Sequence, residues 1–405
     1  MKIALICPAS LPATQFGGIL FLCVDVAREC SNNGHDVTIY TSDLDFANNL
    51  HTFNKHLPRT EKAENFKINR TSVWFSVGLF FVNPKMYSQI SKDNPDIIHT
   101  IGVRSFQSFV AALISKKKKI PLIISDQGGL TTHPELNNGP VIKRLLYKLQ
   151  TPMIKYVINQ ASKIIVANEY EKQIFSNMNI GPTGKVSGLS EESKITIIRN
   201  GIDLEIINQK PTEFRKKYGI DKKFFLFVGR FTKIKGLDIL LQAMNLIKNQ
   251  PELENIRLVI MGVDFGFQDQ MLEIIDKFNI KEKIHVIKNP SREDVITAYR
   301  ESEFLVLPSR WELSPLTPLE GFAFKKTVIS TNVHGIPSTI THGENGVLIE
   351  DEDFHSLAKA ILELINDKQK CSRYGLSGFN LVQQECNSKS MGQKTLKIYN
   401  QVVNR

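Results

Sequence analysis

Short runs of apolar residues alternate along the chain with longer stretches in which apolar residues recur every three or four positions. The short runs are typical of buried strands, and the periodic stretches are typical of helices. The pattern predicts strands at Lys2–Cys7, Asp36–Tyr40, Ile97–Thr100, Leu122–Ser125, Lys163–Ala167, Phe224–Val228, Arg257–Met261, Ile284–Ile287, Phe304–Leu307 and Thr327–Ser330. It predicts helices at Gly236–Lys248, Gln268–Phe278, Arg292–Arg300 and Phe354–Asn366. This alternation predicts an α/β fold with helices on both faces of parallel sheets.

The pattern begins afresh once, near the middle of the chain. Residues Asp203–Tyr218 are polar and basic, and Phe224–Gly229 then opens a new strand and turn. A chain of 405 residues also exceeds what one core usually supports. We therefore predict two Rossmann-like, doubly wound domains that face each other across a cleft, with ligands bound at the carboxyl ends of the strands. The predicted domains are 1–205 and 206–385, followed by a helix at 386–405 that packs back toward the first domain.

Composition limits the setting in which the protein works. With 42% hydrophobic and 23% charged residues, it is an ordinary globular protein rather than a disordered or fibrous one. The opening run Ile3–Pro8 is too short for a signal-peptide core, and no apolar run reaches the roughly 18 residues of a membrane span. The five cysteines have neither metal-type nor redox-type spacing. These features predict a cytoplasmic protein.

The formal net charge of +10 points to an acidic partner or simply to a lysine-rich, soluble surface. The acidic partner could be nucleic acid, anionic lipid headgroups or a phosphorylated small molecule. The sequence has no recognisable nucleic-acid-reading module and no basic stripe with interleaved aromatics, so we expect no nucleic-acid partner.

Two turns that follow predicted strands carry residues suited to phosphate binding. Gly17 and Gly18 precede a helix, where a bare backbone and unpaired amides can approach an anion, although such a pair is also common in plain turns. Gly229 and Arg230 follow the first strand of the second domain, and Lys235 lies five residues further on. Two cations at a strand end can neutralise a diphosphate leaving group, or they can belong to a solvated basic loop.

Two glutamates, Glu312 and Glu320, follow the strand that ends at Leu307. The segment from Thr317 through Pro318 to Glu320 fits a capping box, with threonine as N-cap and proline at the first helical position. Alternatively, Thr317 caps the helix alone and Glu320 is available to a ligand, which is the interpretation we favour. Neither account explains Glu312, whose carboxylate can accept two sugar hydroxyls.

Taken together, the order and spacing of several short motifs resemble those of family 4 of the retaining glycosyltransferases, which have two Rossmann-like domains (the GT-B fold). The resemblance covers nearly the whole chain. It rests on Phe16-Gly17-Gly18, Pro95-Asp96-Ile97-Ile98-His99, Arg199-Asn200-Gly201-Ile202-Asp203, Gly229-Arg230 through Lys235-Gly236, Pro308-Ser309, Glu312 with Glu320, and Gly335-Ile336-Pro337 through Gly343-Glu344-Asn345-Gly346.

The resemblance implies a nucleoside-diphosphate sugar donor held mainly by the second domain and a saccharide or lipid-linked saccharide acceptor held mainly by the first. Arg230 and Lys235 would bind the diphosphate, and Glu312 would contact hydroxyls of the transferred sugar. Glu320 would hold the ribose. The remaining donor-binding candidates are Gly17, Gly18, Gly229, Ser314, Leu316 and Thr317. Such enzymes need no metal or other cofactor, and the sequence offers no credible ligand cluster for one.

Three positions depart from the family pattern. Ser314-Pro315 replaces the usual Phe-Gly, which removes one amide donor and stiffens the loop. His334 stands where glycine is common, and Ser338 stands where glutamate is common. Asp126-Gln127-Gly128-Gly129 lies where many relatives have His-Gly, so Asp126 and Gln127 are the acceptor-side candidates. The first two changes bear on donor choice.

Basic and apolar residues share the helical period in Pro140–Gln150, and Lys116–Lys119 with Phe75, Phe80 and Phe81 lie in the same domain. This pattern predicts docking on an anionic membrane surface, at the inner face of the membrane, or else a buried helix with a solvated lysine side. Two other functions also remain open. One is a nucleotide-sugar epimerase of the same two-domain plan, and the other is a catalytically inactive nucleotide-sugar sensor.

Overall fold

The chain divides into two compact units in a computed structural model, which describes residues 1–45, 52–127, 130, 133–134, 136, 141–177 and 194–404. The first unit comprises Met1–Gly201 together with Ser388–Arg405, and the second comprises Ile202–Asn387. None of the helices in the described part of the chain is long and apolar enough to cross a membrane.

An eight-stranded sheet forms the centre of the first unit. Its strands lie in the order β10-β9-β8-β7-β1-β2-β4-β3, and the pairs are parallel except for β3 with β4. A separate hairpin pairs β5 with β6. The strands are β1 Lys2–Ile6, β2 Asp36–Ser42, β3 Thr60–Ala63, β4 Phe66–Thr71, β5 Phe75–Val77, β6 Phe80–Val82, β7 Ile97–Ile101, β8 Leu122–Ser125, β9 Lys163–Val166 and β10 Ile195–Ile197.

Within the described residues, five helices of the first unit precede residue 201, and a sixth lies near residue 400. They are α1 Gly18–Asn32, α2 Lys85–Asp93, α3 Phe106–Lys118, α4 Val141–Gln160, α5 Glu169–Asn177 and α13 Ser388–Val403. Helix α13 packs on α1 so closely that a Cβ at Gly392 would lie 2.4 Å from the Cβ of Glu29. Its Tyr399 hydroxyl hydrogen-bonds Nδ1 of His99 on β7 at 2.6 Å. The end of the chain is therefore built into the first unit.

The second unit has a six-stranded parallel sheet in the order β13-β12-β11-β14-β15-β16. Its strands are β11 Lys223–Val228, β12 Ile256–Gly262, β13 Ile284–Lys288, β14 Leu305–Leu307, β15 Val328–Thr331 and β16 Gly346–Ile349. Its helices are α6 Phe214–Tyr218, α7 Leu237–Ile247, α8 Gln268–Lys277, α9 Arg292–Glu301, α10 Leu316–Ala323, α11 Phe354–Asn366 and α12 Lys368–Gln384.

Strand order fixes where each unit can bind a ligand. Numbered along the chain, the parallel strands of both sheets begin 3-2-1-4, so the order reverses beside the first strand. Helices on the two sides of that point leave a crevice at the carboxyl ends of the strands. In the second unit the crevice lies beyond β11 and β14, whose residues Leu226 and Leu305 are paired.

The ten strands predicted from apolar runs are all present, within one or two residues of their predicted ends. The four predicted helices are likewise present. The prediction of two doubly wound α/β sheets is therefore confirmed.

Candidate functional site

Two loops of the second unit meet because a glycine lets them approach. After β11, the chain runs through Gly229 and Arg230 into a single 3-10 turn, Lys233–Lys235, which ends at Gly236. Gly236 has a φ of +69°, and a Cβ there would lie 1.8 Å from the carbonyl oxygen of Pro308, which follows β14. Only glycine fits this contact. It brings Lys235 beside the loop that carries Glu312.

The contact of the two loops creates a partly buried ion pair. The Lys235 Nζ donates to Oε1 of Glu312, and the Ser309 hydroxyl donates to the same oxygen at 3.1 Å. The carboxylate is only 8% exposed, so it is held in one orientation by a charge and a neutral donor. The lysine stem passes Gly229, where a Cβ would lie 3.9 Å from the lysine Cδ. Sequence-predicted residues Gly229, Lys235 and Glu312 therefore lie together.

Arg230 lies at the carboxyl end of the same strand, β11. Its guanidinium is 5.0 Å from the centroid of the Phe265 ring, within the range of a cation–π contact. Phe265 is held beside it because its amide donates to the carbonyl oxygen of Phe231 at 3.1 Å. The aromatic face orients the arginine without neutralising its charge.

Arg310, which was not predicted from the sequence, links the two loops by ion pairs and hydrogen bonds. Its guanidinium pairs with both carboxylate oxygens of Asp238 on α7, at 2.7 and 2.9 Å, and also pairs with Glu352. It donates to the carbonyl oxygen of Lys233 at 2.6 Å as well. Arg310 therefore fixes the position of the turn that presents Lys235.

Glu320 occupies a different environment from the one its sequence context predicts. Its Oε1 accepts from Arg292 at 2.5 Å, and its Oε2 accepts from the Tyr299 hydroxyl at 2.8 Å. Burial, and secondarily the Glu320 carboxylate, raise the pKa of Tyr299 well above its usual value. Glu320 is thus part of a buried cluster with two residues of α9.

The predicted cap of helix α10 is wrong in both of its versions. The helix begins at Leu316, and its N-cap residue is Pro315, whose side chain makes no capping hydrogen bond. Thr317 is the second helical residue, and Pro318 is the third. The reason is local, since the fixed φ of Pro315, here −68°, already suits the residue that precedes a helix. Ser314, Leu316 and Thr317 therefore lie at the start of α10, just beyond Glu312.

The departures at His334 and Ser338 lie in the turn that follows β15. His334 has a φ of +51°, which explains why glycine suits this position and places histidine in the left-handed region. Partial burial lowers the pKa of His334. The next amide, that of Gly335, donates to the carbonyl oxygen of Glu312 at 3.0 Å. The Ser338 hydroxyl donates to the Gly335 oxygen at 2.6 Å, within the same turn.

In the first unit, Gly17 and Gly18 lie at the start of α1. Gly17 is the N-cap residue with a φ of +104°, and a Cβ there would meet nothing within 4 Å. The glycine is therefore required by its backbone angle rather than by crowding. The open space above it suits the approach of a ligand to the helix terminus.

The two acceptor-side candidates follow β8 and are both engaged within the first unit. Asp126 is buried, and its Oδ2 accepts from the amide of Leu130 at 3.1 Å. Gln127 exchanges two hydrogen bonds with the amide group of Asn200, at 3.2 and 3.4 Å. Gly128 and Gly129 lie outside the described residues.

A buried carboxyl group near Asp126 was also not predicted from the sequence. Glu171, at the start of α5, accepts from the amide of Ala167 at 2.8 Å, and Asn168 accepts from the Glu171 amide. Burial, and secondarily the charge of Asp126, raise the pKa of Glu171 to about 8. Sequence offers only the capping pattern of Asn168 and Glu171, which says nothing about burial.

In the part of the chain that the structure describes, no three His, Cys, Asp or Glu side chains are grouped so as to hold a metal ion. All five cysteines are free thiols.

Two family models match the chain. The one described as Glycosyltransferase Family 4 matches residues 16–206, and the one described as Glycosyl transferases group 1 matches residues 210–380. An uncharacterized glycosyltransferase from Methanocaldococcus jannaschii is 28% identical over 297 residues, which is 71% of each chain.

Two solved structures are similar over 99% of both chains. Sucrose-phosphate synthase from Thermosynechococcus elongatus has a TM-score of 0.76 with this chain, at 18% identity. HepE from Anabaena, in complex with UDP and glucose, has a TM-score of 0.74, also at 18% identity. These similarities establish the GT-B fold. Since the two family models together span nearly the whole chain, the protein belongs to the glycosyl transferases of group 1, with an N-terminal half of the family 4 type.

Proposed function

We propose that the protein is a retaining, metal-independent glycosyltransferase that moves a sugar from a nucleoside-diphosphate sugar to a saccharide or lipid-linked saccharide. The observation that carries the proposal is the grouping of Arg230, Lys235 and Glu312 at the carboxyl ends of two adjacent strands, next to the start of α10. Two cations and a carboxylate able to accept sugar hydroxyls thus lie where doubly wound folds bind ligands, which supports the proposal.

The two cations suit the departure of a diphosphate. As the bond between the sugar's anomeric carbon and the diphosphate oxygen breaks, negative charge grows on the diphosphate, and Arg230 and Lys235 would stabilise it. A bond then forms from the acceptor hydroxyl oxygen to the same carbon, and the hydroxyl proton passes to a phosphate oxygen of the donor. No step in this scheme requires a divalent ion. Chelation by EDTA should therefore leave the rate unchanged, and NMR of the product should show the donor's anomeric configuration.

The carboxylates suit hydroxyl recognition. Glu312 keeps its second oxygen for sugar hydroxyls while Lys235 and Ser309 hold the first. Glu320 would bind the ribose by exchanging Arg292 or Tyr299 for ribose hydroxyls. Ser314, Leu316 and Thr317 would offer amides of the α10 terminus to phosphate. The UDP and glucose bound by HepE support this class of donor.

The first unit would supply the acceptor site. Gly17 and Gly18 offer an open helix terminus to a phosphate or a saccharide. Asp126 and Gln127 would shape the loop beside the acceptor rather than act as a base, because Leu130 and Asn200 already occupy their side chains. Five free thiols support a cytoplasmic location.

Binding of a nucleoside diphosphate tests the cation site. Screening nucleoside diphosphates and their sugars by thermal shift should find at least one that stabilises the chain. Lys235→Met should weaken its affinity at least roughly tenfold, the scale of one lost charge-assisted contact. Lys233→Met is the matched control, because Lys233 lies in the same turn but is exposed. Equal losses in both variants would argue against a specific role for Lys235.

Turnover separates the proposed transferase from its alternatives. Glu312→Gln should retain diphosphate binding while lowering transfer from a labelled nucleotide sugar by roughly 100-fold or more, because the sugar loses its carboxylate. Interconversion of nucleotide sugars without an acceptor would favour an epimerase. Diphosphate binding by the parent chain with no turnover of any donor would favour an inactive sensor, to which the Ser314-Pro315 departure also points.

A further inference from the structure

An apolar hairpin of the first unit faces solvent. Strands β5 and β6 turn at Gly78, and the side chains of Trp74, Phe75, Val77 and Leu79 are 65%, 58%, 50% and 43% exposed. Strand β6 anchors the hairpin, because Phe81 and Val82 are buried. Four large apolar side chains exposed on one short hairpin are unusual on a water-facing surface.

Helix α4 carries a second exposed apolar row. Val141, Leu145 and Leu149 recur every four residues, so they lie along one side of the helix, and they are 71%, 58% and 68% exposed. Arg144 and Lys148 lie between them on the same side and are also exposed. Pro140 and the side chains of Ile142, Lys143 and Leu146 lie outside the described residues.

Helix α3 links the hairpin to α4. Near its start, Phe106 stacks edge-on with Phe80 of the hairpin, with ring centroids 6.4 Å apart. The next residue, Gln107, donates to the carbonyl oxygen of Phe81 at 2.9 Å. One turn later, Phe109 contacts Tyr156 of α4, with ring centroids 5.7 Å apart. We call the hairpin, α3 and α4 together the apolar–basic surface.

Positive charge is concentrated in this part of the chain. Residues 104–160 contain nine lysines and arginines but only two acidic residues, so they carry seven of the ten net positive charges. Lys116 and Lys117 of α3 lie over the rings of Tyr156 and Tyr87, at 5.7 and 5.9 Å. The charge is therefore concentrated in the segment that contains α3 and α4, with Arg144 and Lys148 beside the exposed apolar row and Lys116 and Lys117 near the end of α3.

We propose that the apolar–basic surface docks on an anionic lipid bilayer. The hairpin and the α4 row would enter the headgroup boundary, where an indole such as that of Trp74 and apolar side chains are favoured. Arg144, Lys148 and the lysines of α3 would be attracted by anionic headgroups. The charge complementarity selects this occupant, because a neutral protein partner would gain nothing from the basic residues. The proposal does not depend on the transferase reaction, since its test measures binding alone.

Vesicle sedimentation tests the docking with the full chain. At low salt the protein should sediment with vesicles that contain about 30% phosphatidylglycerol in phosphatidylcholine, and much less with pure phosphatidylcholine. Raising the salt from about 50 to 500 mM should reduce binding at least roughly tenfold, because screening removes the attraction to the headgroups. Failure to sediment with anionic vesicles at low salt would overturn the proposal.

Matched variants distinguish binding through this surface from non-specific binding to vesicles. Leu145→Ser with Leu149→Ser, and separately Arg144→Glu with Lys148→Glu, should each lower binding at least roughly tenfold. Their controls lie in the second unit. Leu246→Ser with Leu376→Ser alters two exposed leucines, and Lys277→Glu with Lys281→Glu reverses two exposed lysines. Both controls should bind like the parent. Equal losses in test and control variants would refute a specific surface.

A variant of the hairpin gives an independent reading. Trp74→Ser with Phe75→Ser changes side chains that are already in water, so the thermal transition should stay unchanged while vesicle binding falls.

The competing occupant is a second copy of this chain. If light scattering shows a dimer that is lost in the Leu145→Ser, Leu149→Ser variant, and vesicle binding does not change in that variant, the surface is a dimer interface and the proposal is wrong.

Discussion

Glu312 and Glu171 both carry buried carboxyl groups, but only Glu312 has a cationic hydrogen-bond partner. Glu312 accepts from Lys235 and Ser309, so its charge is matched within the site. Glu171 accepts only from a backbone amide on one oxygen, and its Oε1 has no hydrogen-bond partner among the described residues. Burial without a cation favours the protonated form.

Glu171 should make the stability of the protein fall as pH rises. Its pKa is about 8 in the folded chain against 4.5 in the unfolded chain. Between these values the folded chain holds a proton that the unfolded chain has lost. The free energy of unfolding should therefore fall by up to about 1.4 kcal/mol per pH unit. Glu171→Gln, which cannot ionise, should remove this part of the slope in thermal denaturation measured from pH 6 to pH 8.

The exposed neighbour Glu169 provides the control for that experiment. It lies in the same first turn of α5, and Glu169→Gln should leave the pH slope as it is in the parent. A slope that is unchanged in Glu171→Gln would show that Glu171 is ionised throughout this pH range.

At the scale of secondary structure, apolar runs predicted ten strands well because nine of them lie between two neighbours within a sheet, and only β13 is an edge strand. Strands β3 and β5, by contrast, are short and partly exposed, so they carry no continuous apolar run. The start of α10 was misplaced because Thr317 and Glu320 have the right spacing for a capping box. The rotamer of Glu320 is instead decided by Arg292 and Tyr299, and sequence spacing cannot report contacts between helices.

The candidate site likewise contains some residues that the sequence predicts and one that it does not. Arg230 and Lys235 are predicted because a strand end and two charges are visible in sequence, whereas the role of Glu312 is implied by the family resemblance. Arg310 was not predicted, because its importance comes from Asp238 and Glu352, which are 72 and 42 residues away.

Gly236 should be the least replaceable glycine of the second unit's loops. Gly236→Ala would combine a left-handed φ with a Cβ that meets the Pro308 oxygen, so at least about 2 kcal/mol of stability should be lost. Affinity for a nucleoside diphosphate should fall as well, because Lys235 shifts with the turn. Thermal denaturation and calorimetric titration measure the two effects.

Gly219 supplies a matched comparison, since its φ is +65° but a Cβ there would meet nothing within 4 Å. Gly219→Ala should lose only about 1 kcal/mol and keep its affinity for diphosphate. Similar losses at both positions would mean that the loops separate easily and that the close contact at Pro308 is unimportant.

At the scale of the whole molecule, both units contain a mostly parallel sheet, but only one of them is formed by a continuous stretch of the chain. The second unit is a single stretch, whereas the first needs residues from both ends of the chain. Helix α13 contributes Tyr399 to His99, Ser388 to Glu29 and the sulfur of Met391 to the amide of Gly201. Burial lowers the pKa of His99 to about 3, so the ring is neutral and Tyr399 completes its hydrogen bonding.

Ending the chain at Asn387 should therefore damage the first unit selectively. Limited proteolysis followed by mass spectrometry should show faster cleavage within residues 1–201, because α1 loses the helix that covers it, while residues 202–387 resist as before. Tyr399→Phe is the milder variant and should lower stability by roughly 1–3 kcal/mol, the penalty for leaving a buried ring nitrogen without its partner. Unchanged cleavage of residues 1–201 in the shortened chain would contradict this division.

The placement of α13 also determines the order in which the two units can fold during synthesis. A ribosome releases residues 202–387 before it releases 388–404, so the second unit can fold while the first still lacks its last helix. A nascent chain that stops early would carry an intact second unit and an incomplete first unit, with the apolar side of α1 available to chaperones or proteases. The first unit is thus completed only after translation has passed Val403.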